Sequence, residues 1–266
     1  MYIFFRKILD FIKSISISVV AKCRYSLYRK EIKSYLSSLI GYIFIGVFLI
    51  IAGLFIWVFP NINNVLFTNM ASLQGLFNTS KFLFLFLVPA ITMRTFAEEK
   101  RSGTLELLLT KPLTDAQIIA AKFFASLTLL VIALAPTLIY VISVYNLGSP
   151  PGNIDMGSTW GSYLGLIFLG ATFISIGIFA SSITSNQIVA FVLAAPLCFI
   201  MYFGFEYIYS FEIMGTMGYF IKTLGIDYHY NSISRGVIDT RDILYFSSVI
   251  FLFLMATRIV LLSRKW

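Results

Sequence analysis

Charge is scarce in this sequence. Of 266 residues only 12% are Asp, Glu, Lys or Arg, while 59% are hydrophobic. Soluble domains carry roughly a quarter charged residues, so an ordinary soluble fold is excluded and a polytopic membrane protein is indicated. Histidine occurs once, at His229, and cysteine twice, at Cys23 and Cys198. One histidine with Asp227 two residues away is too little for a zinc site and reads as a surface residue. Two cysteines this far apart in character, one beside basic residues and one in an apolar run, suggest neither a disulfide framework nor a metal site. No Gly-x-x-x-x-Gly-Lys-Ser/Thr phosphate loop is present, and no Gly-x-Ser-x-Gly nucleophile motif. No acidic residue falls in the middle of an apolar run, which weighs against a carrier driven through an intramembrane carboxylate. Glu206 and Glu212, at the end of one run, read as solvated loop carboxylates or as the lining of an exit. The N-terminus has no small-residue cleavage site after a short apolar core, so no cleaved signal peptide is expected.

What the chain does have is long apolar runs. A bilayer core of roughly 30 Å requires about 20 apolar residues as a helix. The pattern predicts six spans at about 39–59, 79–97, 120–145, 160–183, 187–205 and 244–262, in an all-α membrane domain over residues 37–266. Pro89, Pro136 and Pro196 fall inside them, where neighbouring helices can satisfy the freed carbonyls. Arg94 is expected to snorkel from the end of the second span. In the fourth, Gly161 and Gly165, Ala171 and Ser175, and Gly177 and Ser181 recur at spacing four. Small residues at that spacing let helices approach closely in lipid. Residues 60–78 and 146–159 read as polar loops. Residues 205–243 are long and aromatic and read as one or two helices dipping into the outer leaflet.

Residues 1–36 form a separate unit. Phe5, Ile8, Ile12, Ile15 and Val19 recur at helical spacing, opposite Arg6, Lys7, Asp10 and Lys13, as in an interfacial amphipathic helix. Lys22, Arg24, Arg29, Lys30 and Lys33 follow, a cluster that favours anionic headgroups. The net charge of +8 is therefore not a nucleic-acid signal. Its basic residues flank apolar runs, and with both termini inside, sixteen fall on inner segments and four on outer ones.

The most informative stretch is Arg94 to Lys122. Glu98, Glu99, Lys100 and Arg101 crowd the exit of the second run. Gly103 permits a tight turn. Thr104 to Thr110 suits a short helix with Leu105, Leu108 and Leu109 on one face, ended by Pro112. Thr114 with Gln117 forms a capping-box pattern for the next helix. Two readings fit: a docking helix for another protein, or a charged loop that orients the chain. With no nucleotide motif of its own, transport energised by a separate subunit follows as an expectation.

These residues resemble a known family. Arg29-Lys30-Glu31-Ile32-Lys33, then Phe96-Ala97-Glu98-Glu99-Lys100-Arg101-Ser102-Gly103-Thr104-Leu105-Glu106, Pro112, and Ile119 to Lys122 look like the permease subunits of type-2 ABC exporters. The similarity runs from about Arg29 to the C-terminus. The stretches VPAITMRTFAEEKRSGTLELLLTKP, GNIDMGSTWGSYLGL and FASSITSNQIVAF are most similar to the gliding-motility-associated permeases of Bacteroidetes. The resemblance implies a connecting helix at the N-terminus, a coupling-helix loop at 94–122, and a re-entrant outer segment at 205–243. It implies a location in the bacterial inner membrane with both termini cytosolic. Partners would be an ABC ATPase subunit, which binds the ATP and Mg, and a second permease protomer or related membrane subunit. Glu98 or Glu99, Gly103, Thr104, Glu106 and Pro112, with Arg101 and Leu108 beside them, would contact the ATPase, none being catalytic. Two same-architecture or same-location alternatives remain, a permease for nitrous oxide reductase maturation and a non-transporting scaffold. An intramembrane enzyme would need paired polar residues at mid-span.

Overall fold

Span 4 is the axis of the molecule, and small residues along it let other helices approach closely. The computed structural model describes residues 25–109, 113–210, 221–237 and 239–263, with the backbone alone at 107–109. Within them all regular structure is helical. Residues 25–37 form α1. α2 (Leu39–Gly53) continues through a π-helical turn to Val58, and α3 (Val65–Thr68) is a single turn capped by Asn64. α4 (Gln74–Thr92), α5 (Arg94–Arg101) and α6 (Thr104–Leu109) follow. α7 (Asp115–Leu134) and α8 (Leu138–Leu147) are joined by a 3₁₀ turn at Pro136. α9 (Met156–Ile183) is uninterrupted. α10 (Gln187–Phe199) passes through a π-helical turn into α11 (Phe205–Ser210), and α12 (Ile226–Ser234) precedes α13 (Thr240–Leu262).

Six helical stretches are long and apolar enough to cross a membrane: Leu39–Val58, Gln74–Arg101, Asp115–Leu147, Met156–Ile183, Gln187–Ser210 and Thr240–Leu262. Several outrun the sequence expectation. Span 2 starts at Gln74 rather than 79, so the end of the expected polar loop is already helix. Span 3 starts at Asp115 rather than 120, because the Thr114–Gln117 capping box forms and nucleates the helix there. The fifth extends to Ser210. The polar first turns of these helices hide them from a purely apolar criterion.

α9 packs against α4, α5, α7, α10, α12 and α13. In its most apolar stretch 78% of residues are buried, against 11% for Thr240–Leu262, which therefore sits at the periphery. Glycine makes the close approaches possible. A Cβ on Gly161 would lie 2.4 Å from the Ile233 carbonyl oxygen, and one on Gly177 would overlap the Thr92 side chain. Aromatic pairs fill the remaining space, with Phe168 stacked on Phe246 at 5.7 Å and Phe77 edge-on to Tyr163 at 5.1 Å. The outward faces of α2, α10 and α13 expose Ile43, Ile50, Ile188, Val192, Phe251 and Ile259, as a lipid-facing surface requires.

Residues 1–24, 110–112, 211–220, 238 and 264–266 lie outside the described residues, and with them Cys23, Pro112, Glu212 and most of the expected amphipathic N-terminal helix.

Candidate functional site

Within the stretch from Arg94 to Lys122, α5 and α6 form a helical arm at one end of the bundle. Its origin is a break in the second span at Met93. There a serine from span 4 takes over the helix bonding. Ser181 Oγ accepts from the backbone N–H groups of Phe96 and Ala97, both at 3.0 Å, and donates to the Met93 carbonyl at 2.8 Å. The freed Thr92 carbonyl accepts from Thr95 Oγ1 at 2.6 Å. Lys100 Nζ donates to the Ser182 carbonyl. The arm is thus pinned to span 4 before it leaves the bundle. α5 ends at Ser102, and Gly103 adopts φ +70°, the left-handed conformation that reverses the chain at a helix C-terminus.

Beneath the arm lies a buried lysine. Lys122, on α7, is 1% exposed. Its ammonium is 2.8 Å from Glu99 Oε1 on α5 and 3.4 Å from Glu31 Oε1 on α1, and it donates to the Thr95 carbonyl at 2.9 Å. It also lies over the Phe96 ring, 5.1 Å from the centroid. Burial of an ammonium is tolerable only with such partners. Three elements meet at this one charge: α1, the root of the arm, and span 3. Tyr35 and Tyr28 of α1 reinforce the contact, at 3.0 Å from Ser126 Oγ and 2.8 Å from Thr128 Oγ1. Arg94 donates to Ser38 Oγ at 2.7 Å and lies over the Tyr35 ring. It does not snorkel as the sequence suggests, because the N-cap of α2 supplies an acceptor and α1 a ring nearby.

A cavity of about 280 Å³ opens between α1 and the arm, lined among others by Lys30, Glu31, Arg94, Glu98, Glu99 and Thr104. The second oxygen of Glu99, Oε2, is buried there with no hydrogen-bond partner among the described residues.

The sequence-selected residues divide into two groups. Glu98, Arg101, Gly103, Thr104 and Glu106 are exposed on the arm. Glu99 is turned inward to Lys122, and Leu105 anchors α6 at 7% exposure. The side chain of Leu108 and all of Pro112 lie outside the described residues. Nothing in the sequence joins Lys122, Glu31 and Ser181 as a group. By position along the chain the lysine is a topology charge, and only its place at the start of an apolar helix hints otherwise.

A family model described as ABC-2 family transporter protein matches residues 25–237. The chain belongs to the ABC-2 transporter family. It is therefore a multi-pass membrane protein and a membrane transport component of an ABC transporter, a kind of subunit that is typically not itself catalytic. No significant match to a curated protein is found.

The opposite end of the bundle holds the second polar cluster. Asp227 on α12 accepts from Tyr202 at 2.5 Å and Asn231 at 2.7 Å, and its carboxylate lies 4.0 Å from Lys81 of span 2. His229 is not a surface residue. It is 9% exposed, its Nε2 donates to the Thr223 carbonyl at 2.8 Å, and its Nδ1 lies 2.7 Å from Asp242 Oδ1. The Tyr245 ring stacks on it at 3.9 Å, and the Tyr245 hydroxyl donates to the Leu224 carbonyl at 2.5 Å. These bonds fasten α12 to the start of α13. Among the described residues no three metal-ligating side chains gather.

Proposed function

We propose that the arm α5–α6 docks onto an ABC ATPase subunit and that Lys122 passes the movement of that subunit into the bundle. The observation that carries this reading is the single buried charge shared by α1, α5 and α7. A force applied to the arm is felt at once by the N-terminal helix and by span 3, because separating either helix from Lys122 takes a partner from a buried charge. The exposed Glu98, Arg101, Thr104 and Glu106 supply the outward polar face. The cavity beside them, with the exposed Glu98 carboxylate in its lining, suits a basic side chain of the partner. In this arrangement ATP and Mg bind in the partner, the arm faces the cytosol of a bacterium, the chain lies in the inner membrane with both termini cytosolic, and a second permease protomer or related subunit completes the transporter. Export in gliding motility is the specific role favoured by the three stretches 88–112, 152–166 and 179–191. Recovery of nitrous oxide reductase maturation proteins with the chain would replace that role.

The geometry changes which substitution tests docking. Glu99→Lys places a second ammonium against Lys122 and disturbs the arm itself. Glu98→Lys reverses an exposed charge only. It is expected to leave membrane insertion and unfolding temperature unchanged and to weaken co-purification of the ATPase with the tagged chain, by about tenfold or more if the contact is a close charge pair. Full retention of the ATPase by Glu98→Lys and by Glu106→Lys would remove this face from the interface.

A further inference from the structure

The end of the bundle away from the arm contains a cavity of about 380 Å³ between α11 and α12. Its lining carries both signs of charge: Glu206 and Asp227, with Lys222 and Arg235. We infer that this cavity binds a compact zwitterion in which a primary ammonium is joined to a phosphate, as in an ethanolamine phosphate headgroup.

The acidic half is built first. Asp227 is held from both sides by Tyr202 and Asn231, and Tyr202 is 2% exposed at the π-helical turn of span 5. The Glu206 carboxylate lines the same cavity from α11. A ligand ammonium has three N–H donors to offer these two carboxylates. A quaternary amine has no N–H to offer and is excluded on the same ground.

The basic half lies along the same helix. Asp227, Asn231 and Arg235 stand at i, i+4 and i+8 of α12 and its cap, so they share one face as acid, amide and base. Arg235 is exposed, and its guanidinium has no ionic partner among the described residues. Its planar fork suits phosphate oxygens. Lys222 adds a second cation, set over the Tyr209 ring at 4.8 Å. Anchoring of α12 through His229 and Asp242 keeps the two halves in register, so little ordering is needed on binding. Exposed Tyr207 and Tyr209 on α11 place the cavity mouth at the level where aromatic side chains meet headgroups. The site stands independently of whether the arm docks an ATPase.

The test uses the purified full-length chain. Native mass spectrometry reads its retention of phosphatidylethanolamine, phosphatidylcholine and phosphatidylglycerol with identical acyl chains, and calorimetry reads titration with free phosphoethanolamine. Phosphatidylethanolamine retained above the other two identifies the bilayer as the source. Heat from phosphoethanolamine without lipid preference identifies a soluble zwitterion. In either case Glu206→Gln and Arg235→Gln are each expected to weaken binding by about tenfold. Both residues are exposed, and Arg235 caps α12 without a structural side-chain bond, so its variant reads the site even if Glu206→Gln perturbs the cavity. The inference is overturned if neither lipid preference nor phosphoethanolamine binding is found, or if Arg235→Gln binds as the unchanged chain does.

Discussion

Lys122→Met is expected to lower the unfolding temperature of the purified chain more than any other single substitution at the arm. The ammonium is removed from between two carboxylates whose side chains are only 12% and 15% exposed, those of Glu31 and Glu99. Breaking a buried pair by removing one partner costs about 3–5 kcal/mol, because the charge left behind is uncompensated. Here Glu99 loses its ionic partner, Glu31 keeps only the exposed Lys30 at 3.9 Å, and the Thr95 carbonyl loses its donor as well. The cost belongs to desolvated charge and not to lost packing, since methionine fills most of the lysine's volume. That distinction is testable. Adding Glu31→Gln and Glu99→Gln to Lys122→Met is expected to recover most of the lost stability, as neutral replacement of a buried ion pair is often close to neutral overall. The restored chain is nevertheless expected to couple poorly to an ATPase, since the arm, α1 and span 3 no longer share a charge. Thermal unfolding in detergent checks the first two expectations. Lys122→Met unfolding at the temperature of the unchanged chain would mean that the buried ammonium does not hold these elements together.

Gly161→Val is expected to have the next largest effect, for a purely steric reason. Its Cβ would lie 2.4 Å from the Ile233 carbonyl oxygen and 2.9 Å from Gly236 Cα. Both neighbours are backbone, so no rotamer relieves the overlap and α12 must move away from span 4. The Ser158 and Ser162 hydroxyls, which donate to the Ser234 carbonyl at 2.8 and 3.4 Å, are then pulled off their acceptor. Overpacking of this kind costs about 1–3 kcal/mol and occasionally more. Gly46→Ala is the internal control. A Cβ there meets nothing within 4 Å, and replacing an interior helical glycine by alanine is worth roughly 0.5–1 kcal/mol in the stabilising direction. The two variants are thus expected to shift the unfolding temperature in opposite directions. Equal shifts would remove the close approach of span 4 and α12 as the explanation.

The small residues of span 4 show how far a sequence can be read. Gly161, Gly165, Gly177 and Ser181 announce a helix that others approach closely, and each does lie against another element, Gly165 against the Tyr230 ring and Gly177 against Thr92. Which helix approaches is not in the pattern. Ser181 is the clearest case. Its spacing marks it as small, whereas its role is to receive two backbone N–H groups from a broken helix more than eighty residues earlier. The place of Arg94 at the end of an apolar run points to snorkelling, whereas it turns to Ser38 and Tyr35. A lone histidine without ligand partners in the sequence reads as a surface residue, whereas His229 is buried against Asp242 and Tyr245.

Sequence alone determined the properties that depend on neighbours along the chain. The six spans follow from the length of the apolar runs, the start of α7 from the Thr114 capping box, and the reversal after α5 from Gly103. The ABC-2 character was legible for the same reason, since the arm's motif is continuous in sequence. Tertiary structure decided the partners of the polar groups. Lys122 is 91 residues from Glu31 and 23 from Glu99, and no local rule couples positions at those separations. A polar group buried among apolar helices must find a partner wherever packing brings one, and the packing order of six similar helices is fixed by close contacts between small surfaces that a one-dimensional pattern does not contain.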